Sequence, residues 1–476
     1  MEARSIYRNI SPLDHRYYLS ERETFERLSD YLSEEAAVRY CVRVEGAIVK
    51  SYIDHFLSSD PKYLDLVDQI EKEVSAEEVT LEEEKTQHNI RALVNVIKRK
   101  LPDELKPYVH LGATSVDILD TANAMRLRDV TRSVVMPLLL DVEELLASIA
   151  RESATTAQVG RTHGQHAVPI TFGFAISEYV ARLGRCLEEI SRRSHELRGK
   201  LAGAVGAYNA TSLIVADPVA FERTVLARLG LEPSEHSTQL VEPEYLLRLL
   251  LEMNVAFGVI ANLADDLRNL QRSEIAEVRE EFTSTQVGSS TMPQKRNPWN
   301  SEHVKSLWKS FAPRAMTFFL DQISEHQRDL TNSASGRFVG EFIAGFAAAL
   351  ARMKKILRNL GVDAERMRSN IDSTGDLVLA EAAYILLATA GDTEAHEVIR
   401  KVTMRCEANR SRLVTELRAD AGAWHLISAQ LNKITGWDAE EFFSNPALYR
   451  GKAAERAVAL ADRYSDIVAT MRKDIQ

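Results

Sequence analysis

Four polar stretches interrupt a chain whose pattern is otherwise helical, and each carries side chains fit for anion binding or proton transfer. They are "KTQHNIRAL" at 85–93, "HLGATSVDILDTA" at 110–122, "GRTHGQHAVPITFG" at 160–173 and "VGSSTMPQKRNPWNSE" at 287–302. Each sets a histidine or hydroxyl residues beside glycine or at a helix start, where backbone N–H groups without intrahelical partners are open to anions. The last also places a basic pair, Lys295 and Arg296, between Pro293 and Pro298. A lone histidine near a helix start is commonly structural, and "TS" before "VD" reads equally well as an N-cap. The weight lies in finding all four blocks in one chain.

Long helices must position these blocks. After Pro243, apolar residues recur at alternating spacings of three and four: Leu246, Leu249, Met253, Ala256, Ile260, Leu263, Leu267 and Leu270. Such a seam needs a long partner helix to bury it. Read from Pro243 to Glu280, the helix would be roughly 55 Å long. A second apolar face runs through Val135, Leu138, Leu139, Val142, Leu145, Leu146 and Ile149. A third, opened by Pro169, runs through Phe172, Ile176, Tyr179, Leu183, Leu187 and Ile190. Strand alternation is almost absent. The expected fold is all-α, with a bundle of long helices at its centre. Proline and glycine at 102, 107 and 112, and "RNLGVDAERM" around Gly361, divide the chain into an N-terminal helical part (1–109), a central bundle (110–362) carrying a loop at 282–299, and a C-terminal helical part (363–476).

Composition removes several alternatives. The chain has 476 residues, 45% hydrophobic and 27% charged, which is ordinary for a globular protein and long enough for two or three domains. Its net charge of -10 is spread along the chain, and without a basic tail or stripe nucleic acid is not the expected partner. Cys41, Cys186 and Cys406 are few and widely spaced, fitting reduced thiols and offering no zinc pattern. No dinucleotide fingerprint appears, so neither a metal nor an organic cofactor is expected. "MEARSIYRNI" lacks the apolar core of a signal peptide, and no uncharged run spans a membrane, so a cytoplasmic location is expected.

"GSSTMPQKRNP" resembles the signature loop of the fumarase/aspartase superfamily, G-S-S-x-M-P-x-K-x-N, and "HLGATSVDILDTA" and "GRTHGQHAVP" resemble its other two blocks in the expected order. Within the superfamily the chain is most similar to the adenylosuccinate lyase family. The likeness rests on "SPLDHRY" near the N-terminus, "TQHN" beside that family's T-x-H-D, "STQ" ending at Gln239, and "HQRDLTNSASGR" beside its E-R-D-[LI]-[ST]-x-S-x-x-x-R. Gln294 is the usual residue of argininosuccinate lyases, which makes them the nearer enzymatic rival. Asn89 and Gly336 depart from the commoner Asp and Glu. A catalytically inactive structural relative is the rival of a different class, and intact Ser289, Lys295 and His163 argue against it.

The resemblance implies a carbon–nitrogen lyase that takes a proton from the carbon next to a carboxylate and expels nitrogen from the neighbouring carbon. Fumarate is released, with adenylosuccinate giving AMP and the related succinyl-carboxamide imidazole ribonucleotide reacting alike. The doubly negative intermediate calls for concentrated positive charge and N–H donors, which Lys295, Asn297 and the N–H groups around Gly288 to Ser290 would supply. His163 fits the general acid that protonates the leaving nitrogen. By analogy with the family, Ser289 is the base. Glu302 matches the family glutamate that pairs with the lysine or orients a histidine. His88 and His110 match further family histidines: His88 is expected to bind substrate near the phosphate or to support the acid, and His110 stands with Asn89 in the substrate-binding set. Arg328, Ser333 and Arg337 match positions that hold the phosphate, and Arg16 and Tyr17 match the ribose-phosphate side. Thr114 and Ser115 would grip a succinyl carboxylate, and Gln239 a substrate carboxylate or the base. The resemblance further implies a homotetramer on a common helical core, each site assembled from three chains.

Overall fold

The computed structural model describes residues 5–281, 291, 292 and 294–475. In the N-terminal part the helix Glu34–Phe56 (α1) starts at Ser33, whose hydroxyl accepts from the Ala36 N–H, and the helix Asn89–Lys100 (α2) packs beside it. One rod follows. Ser115–Val130 (α3), a π turn at Thr131–Val135 and Met136–Glu152 (α4) run on without a break, for roughly 57 Å at about 1.5 Å per residue. Pro137 explains the irregular turn, because it has no N–H to give to the preceding turn.

A two-stranded antiparallel hairpin, Ala157–Thr162 (β1) and Gln165–Thr171 (β2), leads into the helix Phe172–His195 (α5). The seam forms the 27-residue helix Glu244–Leu270 (α6), about 40 Å long. After it come a short strand Val278–Glu280 (β3), the helices Trp299–Phe311 (α7) and Val339–Arg358 (α8), the strand Leu360–Val362 (β4) antiparallel to β3, and the helix Ala364–Thr374 (α9). The helix Ala453–Ile475 (α10) ends the chain's described part.

Packing follows the apolar faces. Helix α4 packs on α5, α8 and α10, and α6 packs on α5, α7 and α8. Leu249, Met253, Ala256, Ile260, Leu263 and Leu267 of the seam are all buried. The N-terminal helices share this core, and Ala461, Tyr464 and Val468 bring α10 back into it. Residues 378–443 build a second, smaller core around Leu379, Leu387, Leu413, Ile427 and Phe443.

Two readings of the sequence need correction. The seam helix stops at Leu270 rather than near Glu280: Gln271 turns its side chain to accept the Glu280 N–H at 2.8 Å, Ala276 adopts φ 52°, and Glu277 turns inward to meet the Arg161 guanidinium. Pro169 does not open a helix. It sits in β2 opposite Val159, and α5 starts after Thr171, whose hydroxyl accepts from the Phe174 N–H.

The contact between α6 and α8 centres on Phe257 and Phe346, both fully buried with ring centroids 5.2 Å apart. Phe346→Ala is expected to destabilise the fold by about 3–5 kcal/mol, as large cavities in aromatic cores do. Chemical denaturation measures this, and an unchanged midpoint would mean that the two helices do not meet there.

Candidate active site

At the start of the rod, His110 adopts φ 62° and turns both its backbone N–H (3.0 Å) and its ring Nδ1 (2.7 Å) onto the carboxylate of Glu45, which is fully buried in α1. Four residues on, the Thr114 N–H donates to Asp117 at 2.7 Å, fixing the first turn of α3 with Ser115 as its first residue. The Asp117 carboxylate also accepts from the N–H groups of Ala202 and Gly203, both at 3.2 Å, and pairs with the buried ammonium of Lys200. A buried ion pair is tolerable only with such full hydrogen bonding. The result locks the loop after Lys200 against Thr114 and Ser115.

Two further contacts extend this group. Asp120 accepts from the Val241 N–H at 2.9 Å, which draws the segment containing Gln239 to the rod. There Gly206 (φ 79°) passes so close that a Cβ would lie 2.0 Å from the Ser237 carbonyl oxygen. The Gln239 N–H then donates to the Gln327 carbonyl at 3.2 Å, joining the segment of Arg328. Arg328 has φ 88°, and its guanidinium donates to the Gln322 carbonyl (3.1 Å) and the Ser324 hydroxyl (2.8 Å). Asp329 instead accepts from Thr331, whose hydroxyl holds the carboxyl below its usual range. Ser333 and Arg337 begin and end an exposed turn of helix just beyond. His88 and Asn89 stand at the start of α2, about 18 Å along that helix from the segment leading to His110. His88 caps it by accepting the Arg91 N–H on Nδ1 at 3.2 Å, so a neutral ring carries its proton on Nε2.

The second group lies at the rod's other end. His163 and Gly164 form the two-residue turn between β1 and β2 with φ 53° and 74°, a left-handed pair whose twist suits a tight hairpin. The ring of His163 is therefore presented at an exposed tip. Gly160 lets the strands close, since a Cβ there would stand 2.7 Å from the Val168 carbonyl oxygen. Burial, then the Arg161 guanidinium, pushes the imidazole of His166 below its ordinary range, and His166 bonds through Nδ1 to the Thr374 hydroxyl.

Beside the hairpin, Glu280 closes the ends of the signature loop. Its carboxylate accepts from the N–H of Ser301 (2.8 Å), the Ser301 hydroxyl (2.6 Å) and the Asn300 side chain (2.9 Å) at the start of α7. Gln271 donates to the Arg296 carbonyl at 3.2 Å. Lys295 is exposed, Asn297 half-buried, and Glu302 exposed in the first turn of α7. Ser289, with Gly288, Ser290 and Pro293, lies outside the described residues. Arg16 and Tyr17 open a short helix here, and the Tyr17 hydroxyl lies 2.9 Å from Nε2 of His303. Burial, then the guanidinium groups of Arg352 and Arg16, pushes the His303 ring below its ordinary range. Arg352 itself donates to Asn300 at 3.0 Å and lies over the Trp299 ring.

The structure thus gathers His110, Thr114, Ser115, Gln239, Arg328 and the Ser333–Arg337 turn toward one end, and His163, Lys295, Asn297, Glu302, Arg16 and Tyr17 toward the other, with α6 and the rod between them. Reading the sequence missed His303, Arg352, Glu277, Glu280, Asp117 and Lys200. The first adjoins Glu302 in "SEH", and a single arginine in the apolar run of α8 was the visible sign of the second.

Comparison with known proteins agrees over most of the chain. The family described as "Lyase" matches residues 30–309, and "Adenylosuccinate lyase C-terminal" matches residues 324–438. The adenylosuccinate lyase of Pyrococcus abyssi is 32% identical over 457 residues, covering 94% of this chain and 96% of its own. That of Aquifex aeolicus is 30% identical, covering 89% and 96%. Among solved structures, a fumarate lyase from a Mesorhizobium species has a TM-score of 0.76 at 23% identity, covering 92% of this chain and 97% of that one. The 3-carboxy-cis,cis-muconate lactonizing enzyme from Pseudomonas putida also has a TM-score of 0.76, at 25% identity, covering 96% and 100%.

One pH effect follows from the geometry. Burial, with the neighbouring Asp117 adding, pushes the Asp120 carboxyl up to about 6, against the pull of the Val241 N–H and Lys200. The folded chain therefore holds this proton where the unfolded chain has lost it, so Asp120's contribution to stability falls as pH rises from 4 toward 6. Asp120→Asn is expected to flatten the dependence in that window. Melting curves at stepped pH test this, and a variant with the parent's slope would exclude Asp120 as its source.

Proposed function

This chain belongs to the adenylosuccinate lyase family, and from that premise we propose that it releases fumarate from adenylosuccinate, leaving AMP, at sites assembled from more than one copy of itself. The 32% identity to an adenylosuccinate lyase over 94% of the chain supports the reaction. The same elimination acts on the succinyl-carboxamide imidazole ribonucleotide of purine synthesis, in the cytoplasm.

In this reading His163, on its hairpin tip, protonates the leaving nitrogen as the carbon–nitrogen bond breaks, while Ser289 takes the proton from the neighbouring carbon. Lys295 and Asn297 neutralise the charge that develops on the carboxylate, and Glu302 pairs with the lysine or orients a histidine. Thr114, Ser115 and Gln239 hold the succinyl carboxylates with His110 at the same end, and His88, with Asn89 beside it, binds substrate near the phosphate or supports the acid. Arg328, Ser333 and Arg337 take the phosphate, and Arg16 and Tyr17 its ribose side.

The single observation that carries the shared site is distance. Thr114 and His163 flank a rod of roughly 57 Å, far beyond the span of one small substrate. A neighbouring copy in the opposite direction would bring one group against the other. The groove between α5, α6 and α10, where Phe174, Leu270 and Leu460 stay at least partly exposed, and the exposed Val255 of α6 give such a copy an apolar face to cover.

Purified protein mixed separately with adenylosuccinate and argininosuccinate is expected to release fumarate from the first only. Fumarate from argininosuccinate alone would sink the assignment. His163→Gln and Ser289→Ala should each lower kcat by about 100-fold or more. Arg328→Ala should raise KM more than it lowers kcat. Equal small effects from all three would mean a misplaced site.

For the shared site, light scattering should report about four times the chain mass of 53.4 kDa. His163→Gln and Ser289→Ala chains, mixed under conditions of proven subunit exchange, should regain part of the activity. A fully active monomer rules out a site built between chains, and exchange without recovery means that His163 and Ser289 of one site come from the same chain.

A further inference from the structure

We propose that Glu277 is a positioning residue for the reaction: it sets the hairpin that carries His163, acting through Arg161. The inference rests on reading His163 as the acid. A hairpin of two strands has no core of its own and is marginal by itself. Here residues 162–166 are exposed, His163 is held in a left-handed conformation, and a bulge near Val159 and Arg161 twists the strands. The aim of the tip must therefore be imposed from the base.

Glu277 is the common acceptor at that base. Its carboxylate is fully buried and takes both arms of the Arg161 guanidinium (3.0 and 2.6 Å), the Gln158 side chain (2.8 Å) and the Asn370 side chain of α9 (2.8 Å). Both oxygens are thus doubly occupied. The residue's own backbone is fixed as well, because its carbonyl accepts the Asp363 N–H at 3.0 Å. Arg161 lies two residues from His163, so the fork that a planar guanidinium and a carboxylate make sets the strand's rotation as well as its place. A small displacement of an acid from its reacting atom is enough to slow proton transfer strongly.

Glu277→Gln keeps the size and removes the charge. It should lower kcat tenfold or more with KM changed less than threefold, and this loss should vanish when His163 is already Gln, the double variant staying within twofold of His163→Gln. A residue that merely held the fold together would subtract its full cost in both backgrounds. A His163→Gln enzyme that keeps its activity would overturn both this role and the acid assignment. An impaired one on which Glu277→Gln still imposes its whole loss overturns the positioning role alone, as does a Glu277→Gln enzyme of parental kcat.

Should Glu277→Gln not assemble, Arg161→Lys, which keeps the charge and loses the fork, takes its place in the same two backgrounds. A kcat loss that vanishes beside His163→Gln is again expected, and a loss that persists there, or no loss at all, overturns the positioning role. Mixing adds a readout specific to place. Glu277→Gln chains should complement Ser289→Ala chains, which supply sound hairpins, and should not complement His163→Gln chains. Failure with Ser289→Ala, where the His163→Gln and Ser289→Ala pair recovers, overturns the confinement to the hairpin.

Discussion

The backbone hydrogen bonds of an α-helix fix its rise at about 1.5 Å per residue, and in this chain that number dictates where reacting groups can stand. The rod from Ser115 to Glu152 and the parallel course of α6 hold two sets of polar loops apart as spacers that neither stretch nor bend to order. Side chains of the seam, interleaved with α5, α7 and α8, make the spacers one rigid body. The polar loops stand at the two ends of that body.

Loops cannot hydrogen-bond themselves as helices do, so their N–H groups need acceptors. The chain supplies inward carboxylates, which accept at two oxygens and donate nothing. Asp117 gathers the N–H groups of Thr114, Ala202 and Gly203; Glu280 gathers the start of α7; Glu277 gathers the hairpin base. The device recurs in the second core, where Asp376 accepts from the N–H groups of Leu413 and Val414 at 2.8 and 2.9 Å. Glu143 in α4 is the contrasting case. Its two oxygens have no hydrogen-bond partner among the described residues, and burial pushes its carboxyl well above the usual range.

What the sequence disclosed and what it hid divide along the same line. The seam from Leu246 to Leu270 was legible because burial on one face imposes a period that composition alone displays. The four polar blocks were legible because they break that period. The hairpin at 157–171 was not: its strands are short, Gly160 and Pro169 blur their alternation, and the helix pattern of Phe172 to Ile190 seemed to reach back to the proline. The end of α6 was overrun because Ile275 and Val278 continue an apolar rhythm although Glu277 between them faces a guanidinium. Tyr17 and His303 are 286 positions apart, and only the fold puts them in contact.

The π turn at Thr131–Val135 has a consequence for how this chain can vary. A π turn takes up one more residue than an α turn, so the phase of the rod is not the same on its two sides. Each residue added to or lost from a helix moves everything beyond it by about 1.5 Å and about 100°. Between Ser115 and Glu152, then, length is part of the specification: descendants of this sequence can lengthen the surface loops of the second core with little penalty. A single insertion or deletion in the rod would swing the hairpin to another side of the bundle.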